Sequence, residues 1–103
     1  MLTFVEDERF TRAADRLLTD GEYFELMTKL VKSPEAGNVI PGSGGWRKLR
    51  FAAKGKGSRG GARVIYFFLS HAGQILLFEI YAKNEKEDLS ADGIKNLKSK
   101  VKS

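Results

Sequence analysis

Cysteine is missing from this 103-residue chain. Disulfides, zinc–thiolate sites and thiol nucleophiles are therefore excluded. Histidine occurs once, as His71, and proline twice, as Pro34 and Pro41. No run approaches the ~18 apolar residues that a membrane span requires, so no membrane partner is expected. The opening segment MLTFVEDERF is acidic where a secretory signal would be apolar, and a cytoplasmic protein is expected. The most telling absence is of one sign of charge. Between Glu35 and Glu79 there is no Asp or Glu, while the same stretch carries Arg47, Lys48, Arg50, Lys54, Lys56, Arg59 and Arg63.

That gap makes the net charge of +5 uneven. Residues 1–35 hold five bases and eight acids, residues 36–78 seven bases and no acid, and residues 79–103 six bases and five acids. Solvated faces usually mix signs. A block of one sign points instead to a polyanion such as nucleic acid. Apolar residues make up 42%, ordinary for a folded domain. A chain of this size buries about two thirds of its unfolded surface. One domain covering residues 1–103 is expected.

Along the chain, Leu2 to Val5 reads as a short strand. Phe10, Ala13, Ala14 and Leu17 fall on one helical face, with Glu6, Asp7 and Glu8 at the end of the helix that favours anions. Thr19 and Glu22 match a capping box that opens a second helix. Its buried stripe is Tyr23, Met27 and Leu30, with Leu26 and Val31 beside it, and Ser33-Pro34 ends it. Pro34 to Gly45 is a Gly/Pro-rich connector. From Trp46 the pattern alternates: Leu49 and Phe51 face the core, Lys48 and Arg50 face outward. Gly55, Gly57, Gly60 and Gly61 then separate this strand from Ala62 to Leu69, a central strand by its apolar run. Gln74 to Lys83 is the next strand, and a last helix starts near Ser90 with Ile94, Leu97 and Val101 on its buried edge. The order is β-α-α-β-β-β-α. The class is α+β, with a small, mostly antiparallel meander sheet, an N-terminal helical hairpin and a C-terminal helix.

The turn between the last two strands sets the geometry of any site. A three-residue loop, His71-Ala72-Gly73, with Gly73 left-handed, places Phe67 opposite Leu77 and Arg63 opposite Tyr81. A two- or four-residue loop puts Arg63 and Tyr81 on opposite faces.

The candidate site residues are Lys54, Lys56, Arg59, Arg63, Tyr81 and Lys83, with Arg47, Lys48 and Arg50 on the preceding strand. With no acidic pair in the basic zone, carboxylate catalysis and Mg²⁺ binding are not expected there. RNA can be cut without a metal. The ribose 2′-OH attacks the adjacent phosphorus, giving a cyclic phosphate and a free 5′-OH. That reaction needs a base, cations for the phosphorane charge and an acid for the leaving oxygen. Arg59 and Arg63 suit charge stabilisation because a guanidinium stays protonated and offers paired donors. Lysines among like charges lose their protons more readily, so Lys54 or Lys56 suits proton transfer. Tyr81 suits either a base role or stacking on a nucleobase.

RKLRFAAKGKGSRGGARVIYFFL followed by IYAKNEKEDLS resembles the RelE/ParE superfamily of bacterial toxins, in particular the HigB-type branch of type II toxin–antitoxin systems. The carrying motifs are K-G-K-G-x-R-G-G-x-R at Lys54 to Arg63, Y-x-K-N-E at Tyr81 to Glu85, and G-x-G-G-x-R-K at Gly42 to Lys48. The resemblance implies a RelE-like fold and a ribosome-dependent endoribonuclease (an mRNA interferase) that works without metal or other cofactor. It cuts mRNA in the ribosomal A site and so inhibits translation. The implied partners are the ribosome, its mRNA and a cognate helix-turn-helix antitoxin. By motif, Lys54, Lys56, Arg63, Tyr81 and Lys83 take the catalytic roles, and Arg47, Lys48, Arg50 and Arg59 bind RNA. Lys83 stands where some family nucleases carry an arginine. The superfamily also contains gyrase poisons without nuclease activity, so a non-catalytic toxin-fold protein or small RNA-binding module is the alternative.

Overall fold

The computed structural model describes residues 2–53, 60–85 and 91–101. Strand β1 (Thr3–Glu6) leads into helices α1 (Glu8–Leu17) and α2 (Asp20–Lys32). Strands β2 (Asn38–Val39), β3 (Arg47–Phe51), β4 (Ala62–Leu69) and β5 (Gln74–Ala82) follow, then α3 (Ala91–Val101). They form one five-stranded sheet in the order β1-β5-β4-β3-β2. β1 runs parallel to β5, and the other neighbours are antiparallel. The α+β class and the order of elements are as the sequence implies, with β2 added. Asn38 and Val39 pair with Lys48 and Arg47 inside the Gly/Pro-rich connector, a pairing too short to leave an alternating pattern.

The helical hairpin forms for the reasons its sequence contains. Asp7 caps α1 by accepting from the Arg9 amide at 2.9 Å. Thr19 accepts from the Glu22 amide at 3.2 Å, and the Glu22 carboxylate accepts from the Thr19 amide at 3.0 Å. Phe10, Ala14 and Leu17 of α1 meet Leu26 and Leu30 of α2 in a core against the sheet. Tyr23 and Met27 flank that core, but Val31 is 53% exposed. The stripe runs from Leu26 to Leu30, and position 31 is turned about 100° further round the helix.

The β4–β5 turn differs from the sequence expectation in a way that cancels. The loop has four residues: Ser70–Ala72 form a 3-10 turn and Gly73 is left-handed at φ 62. Near the tip Leu69 therefore pairs with Gln74, and Phe67 with Leu76, one residue away from the expected partner Leu77. Further down, Tyr66 pairs with Leu77 but Ile65 with Glu79, so Phe78 is an inserted bulge residue. The bulge restores Arg63 opposite Tyr81.

Both faces of the sheet carry apolar residues. Leu49, Val64, Ile75, Leu77 and Ile80 face the helical hairpin. Ile65, Phe78 and Tyr81 lie on the opposite face in a second cluster with Trp46, Ile40 and Leu97 of α3. Trp46 meets Phe67 and Phe78 edge-on at 5.3 and 5.6 Å, and its Nε1–H donates to the Leu97 carbonyl at 2.7 Å. That bond ties α3 to the sheet.

Candidate nucleic-acid interface

Directly opposed residues of an antiparallel sheet share a face. The register therefore builds two rows across β3, β4 and β5: Arg50–Arg63–Tyr81, and Lys48–Ile65–Glu79. Both lie on the face away from the helical hairpin. With strands ~4.8 Å apart, the backbones of Arg50 and Tyr81 are roughly 10 Å apart. Two arginines of one face are thus paired across adjacent strands, a spacing that suits successive contacts to one sugar–phosphate strand.

The surroundings position these cations. Arg50 is exposed and Arg63 half-buried. Arg63 Nη1 donates to the Ala62 carbonyl at 3.3 Å. Gly61 stands beside it at φ +96, where a Cβ would lie 3.3 Å from the Phe51 carbonyl oxygen and 3.8 Å from Arg63 Nη1. A side chain there would be both strained and pressed toward the guanidinium. Lys83 is exposed, and its amide donates to the Gly61 carbonyl at 3.2 Å, carrying the β4–β5 register one step past Ala62–Ala82. A groove of about 520 Å³ runs beside Lys48 and Arg50, walled by Asn38, Val39, Ile40 and Pro41.

Two expected site residues are placed otherwise. Arg47 shares the parity of Leu49 and Phe51, so it points to the hairpin side. Its side chain is 20% exposed, and Nη1 donates to the carbonyls of Glu35 at 3.2 Å and Gly37 at 2.7 Å. Nη2 lies 3.5 Å from the Glu35 carboxylate. Arg47 thus fastens the α2–β2 connection, where the sequence reading had it on RNA. Tyr66 assists: its hydroxyl accepts from the Gly37 amide at 2.8 Å and donates to the Pro34 carbonyl at 2.9 Å. Burial raises the Tyr66 pKa above its ordinary value.

Tyr81 is the second correction. It is 3% exposed and its hydroxyl oxygen is buried, in the cluster that α3 joins through Leu97. A phenol presented to RNA is not what this conformation provides. Its pairing with Arg63 is as expected, but the face it shares with Arg63 is closed at the Tyr81 end.

Lys54, Lys56 and Arg59 lie outside the described residues. The described chain leaves β3 after Phe51 and enters β4 at Ala62, directly opposite. His71 is exposed at the hairpin tip, the far end of β4 from Arg63. Sequence reasoning passed over Glu79, a half-buried carboxylate in the row with Lys48. Its place two residues before Tyr81 on one strand was the available signal. It also passed over Arg16, and it had Glu85 only as the last residue of the Y-x-K-N-E motif. Arg16 Nη1 donates to Glu85 Oε2 at 2.7 Å, joining α1 to the turn after β5. Among the described residues no group of three or more His, Asp or Glu side chains is placed to hold a metal ion. No described helix is long and apolar enough to cross a membrane.

No protein-family model matches the sequence. Solved structures do resemble it. The E. coli toxin RelE in the free state, as a double arginine-to-alanine mutant, superposes with a TM-score of 0.62 at 19% identity, over 96% of this chain and 95% of that one. A chain of the intact E. coli RelBE toxin–antitoxin complex superposes with a TM-score of 0.57 at 20% identity, over 78% of this chain and 94% of that one. Across nearly its whole length, this chain shares the fold of the toxin RelE.

Proposed function

We propose that this protein is the toxin of a type II toxin–antitoxin system, of the HigB-type branch, and that it cleaves mRNA on the ribosome in the cytoplasm. The observation that carries the reading is the pairing of Arg50 with Arg63 on one open stretch of a RelE-like sheet, fed by a segment with seven bases and no acid. In this reading the 2′-OH attacks the neighbouring phosphorus and the 5′-oxygen leaves. Arg63 stabilises the charge that develops on the phosphorane oxygens. Lys48, Arg50 and Arg59 hold the flanking phosphates. Lys54, Lys56 and Lys83 supply the proton transfers. Tyr81 has no direct part: it is a wall of the site beneath Arg63. A helix-turn-helix antitoxin is the proposed protein partner, in keeping with the likeness to a chain of the RelBE complex.

The affinity arithmetic favours RNA already held by a larger body. Five phosphate contacts to a single strand give a salt slope of roughly −3.5, which is about a hundredfold loss of affinity between 50 and 200 mM salt. Binding so sensitive to salt needs a scaffold such as the ribosome.

The burial of Tyr81 favours a second reading, a toxin-fold module (a gyrase inhibitor or a small RNA-binding protein) that binds without cutting. One experiment separates the two. After a brief pulse of expression, primer extension on abundant mRNAs should find new 5′ ends inside coding regions, and Arg63→Ala should remove them. Growth arrest without new ends would leave only the binding module.

A further inference from the structure

We propose that Glu85, held by Arg16, is a positioning residue that fixes Lys83 at the cleavage site. The proposal rests on the nuclease reading above and extends it to residues that no RNA contact would single out. The tetrapeptide Ala82-Lys83-Asn84-Glu85 is closed by reciprocal bonds: the Glu85 amide donates to the Ala82 carbonyl at 2.9 Å, and the Ala82 amide donates to Glu85 Oε1 at 3.0 Å. The same carboxylate accepts from Arg16 Nη1 at 2.7 Å and from Nη2 at 3.5 Å. Lys83 lies inside this turn, and its own amide is bonded to Gly61 at 3.2 Å. Its backbone is therefore fixed on two sides: to β4 through Gly61, and to α1 through Glu85 and Arg16.

The chemistry explains why a carboxylate serves here. A turn at the end of a strand frays unless its amides are satisfied. One acceptor group with two oxygens satisfies the Ala82 amide and a guanidinium together. Arg16 first, and the Ala82 amide second, lower the Glu85 pKa. The Lys83 side chain is exposed. A misplacement of about 1 Å in a reacting group can reduce a rate by 10².

Single-turnover cleavage of mRNA on programmed ribosomes tests this. Glu85→Ala should lower the rate constant at saturating toxin by about tenfold or more, leaving the half-saturating toxin concentration within about twofold. Glu85→Gln keeps an acceptor for the Ala82 amide and should recover most of the rate. The double variant Glu85→Ala/Lys83→Ala should be no slower than Lys83→Ala, because Glu85 acts through Lys83. Losses that multiply, or a Glu85→Ala enzyme at the wild-type rate, overturn the proposal. Hydrogen exchange at the Ala82 amide should rise in Glu85→Ala while α1 and α2 stay protected, and an unchanged Ala82 amide also overturns it. Wild-type protein that cuts nothing refutes the nuclease reading itself, and the Ala82 amide then reports whether the clamp exists without it.

Discussion

Arg63 stands opposite Tyr81 because β5 contains one residue, Phe78, that β4 does not match. The tip register, continued without that bulge, would set Arg63 against Ile80 and turn Tyr81 to the hairpin side. A β-bulge adds a residue, bends its strand and sharpens the local twist. Here it also seats the Phe78 ring between Trp46, at 5.6 Å, and the Arg9 guanidinium, at 4.7 Å. Phe78→Ala keeps the register but loses these contacts, and should cost about 3–5 kcal/mol in urea unfolding. Deleting Phe78 should leave Glu79 to Ala82 on their present faces, because Leu77 and Glu79 already oppose consecutive residues, Tyr66 and Ile65.

Arg63→Ala should lower ribosome-dependent cleavage by about 10² or more with little loss of fold, since a contact made to the transition state is removed. Tyr81→Phe should stay within about threefold of wild type, because RNA cannot reach a buried hydroxyl. Rates from the same single-turnover assay check both. A hundredfold loss in Tyr81→Phe would mean that the site opens before it cuts.

Binding of a short single-stranded RNA, measured from 50 to 200 mM salt, should weaken along a straight logarithmic slope. Lys48→Ala and Arg50→Ala should each reduce that slope by about 0.7, one phosphate contact apiece. Arg47→Ala should leave the slope unchanged and lower stability instead, since its guanidinium is bound to the Glu35 and Gly37 carbonyls.

Tyr66→Phe should cost about 1–3 kcal/mol, because the buried Gly37 amide loses its acceptor. Thr19→Ala should cost about 1 kcal/mol through the lost cap. Thermal or urea melts monitored by circular dichroism measure both.

The alkaline limb of stability should depend on Tyr23. Burial first, and then its hydrogen bond to the Glu6 carboxylate, raise its pKa to about 12 from the ordinary 10.0. A raised folded pKa gives stability that is complete below the unfolded value and lost as pH rises through the folded one. Wild type should therefore lose stability between about pH 10 and 12 more steeply than Tyr23→Phe. Urea midpoints across that range measure the difference.

What the amino-acid sequence determined by itself was local. Thr19 and Glu22 specify the start of α2, the alternation of Leu49 and Phe51 with Lys48 and Arg50 specifies the faces of β3, and the acid-free stretch specifies where cations gather. Each depends on spacing along a few residues, which periodicity reports directly. Tertiary structure decided the rest. Periodicity sorts residues to two faces but does not say how much of the second face stays open, and α3 closes it over Tyr81. Arg47 obeys the same alternation as Leu49, yet only the return of the chain through Glu35 and Gly37 gives its charge a task. Counting across a hairpin fails when a bulge adds a residue, and Glu85 meets Arg16 across a sequence distance that no local pattern spans.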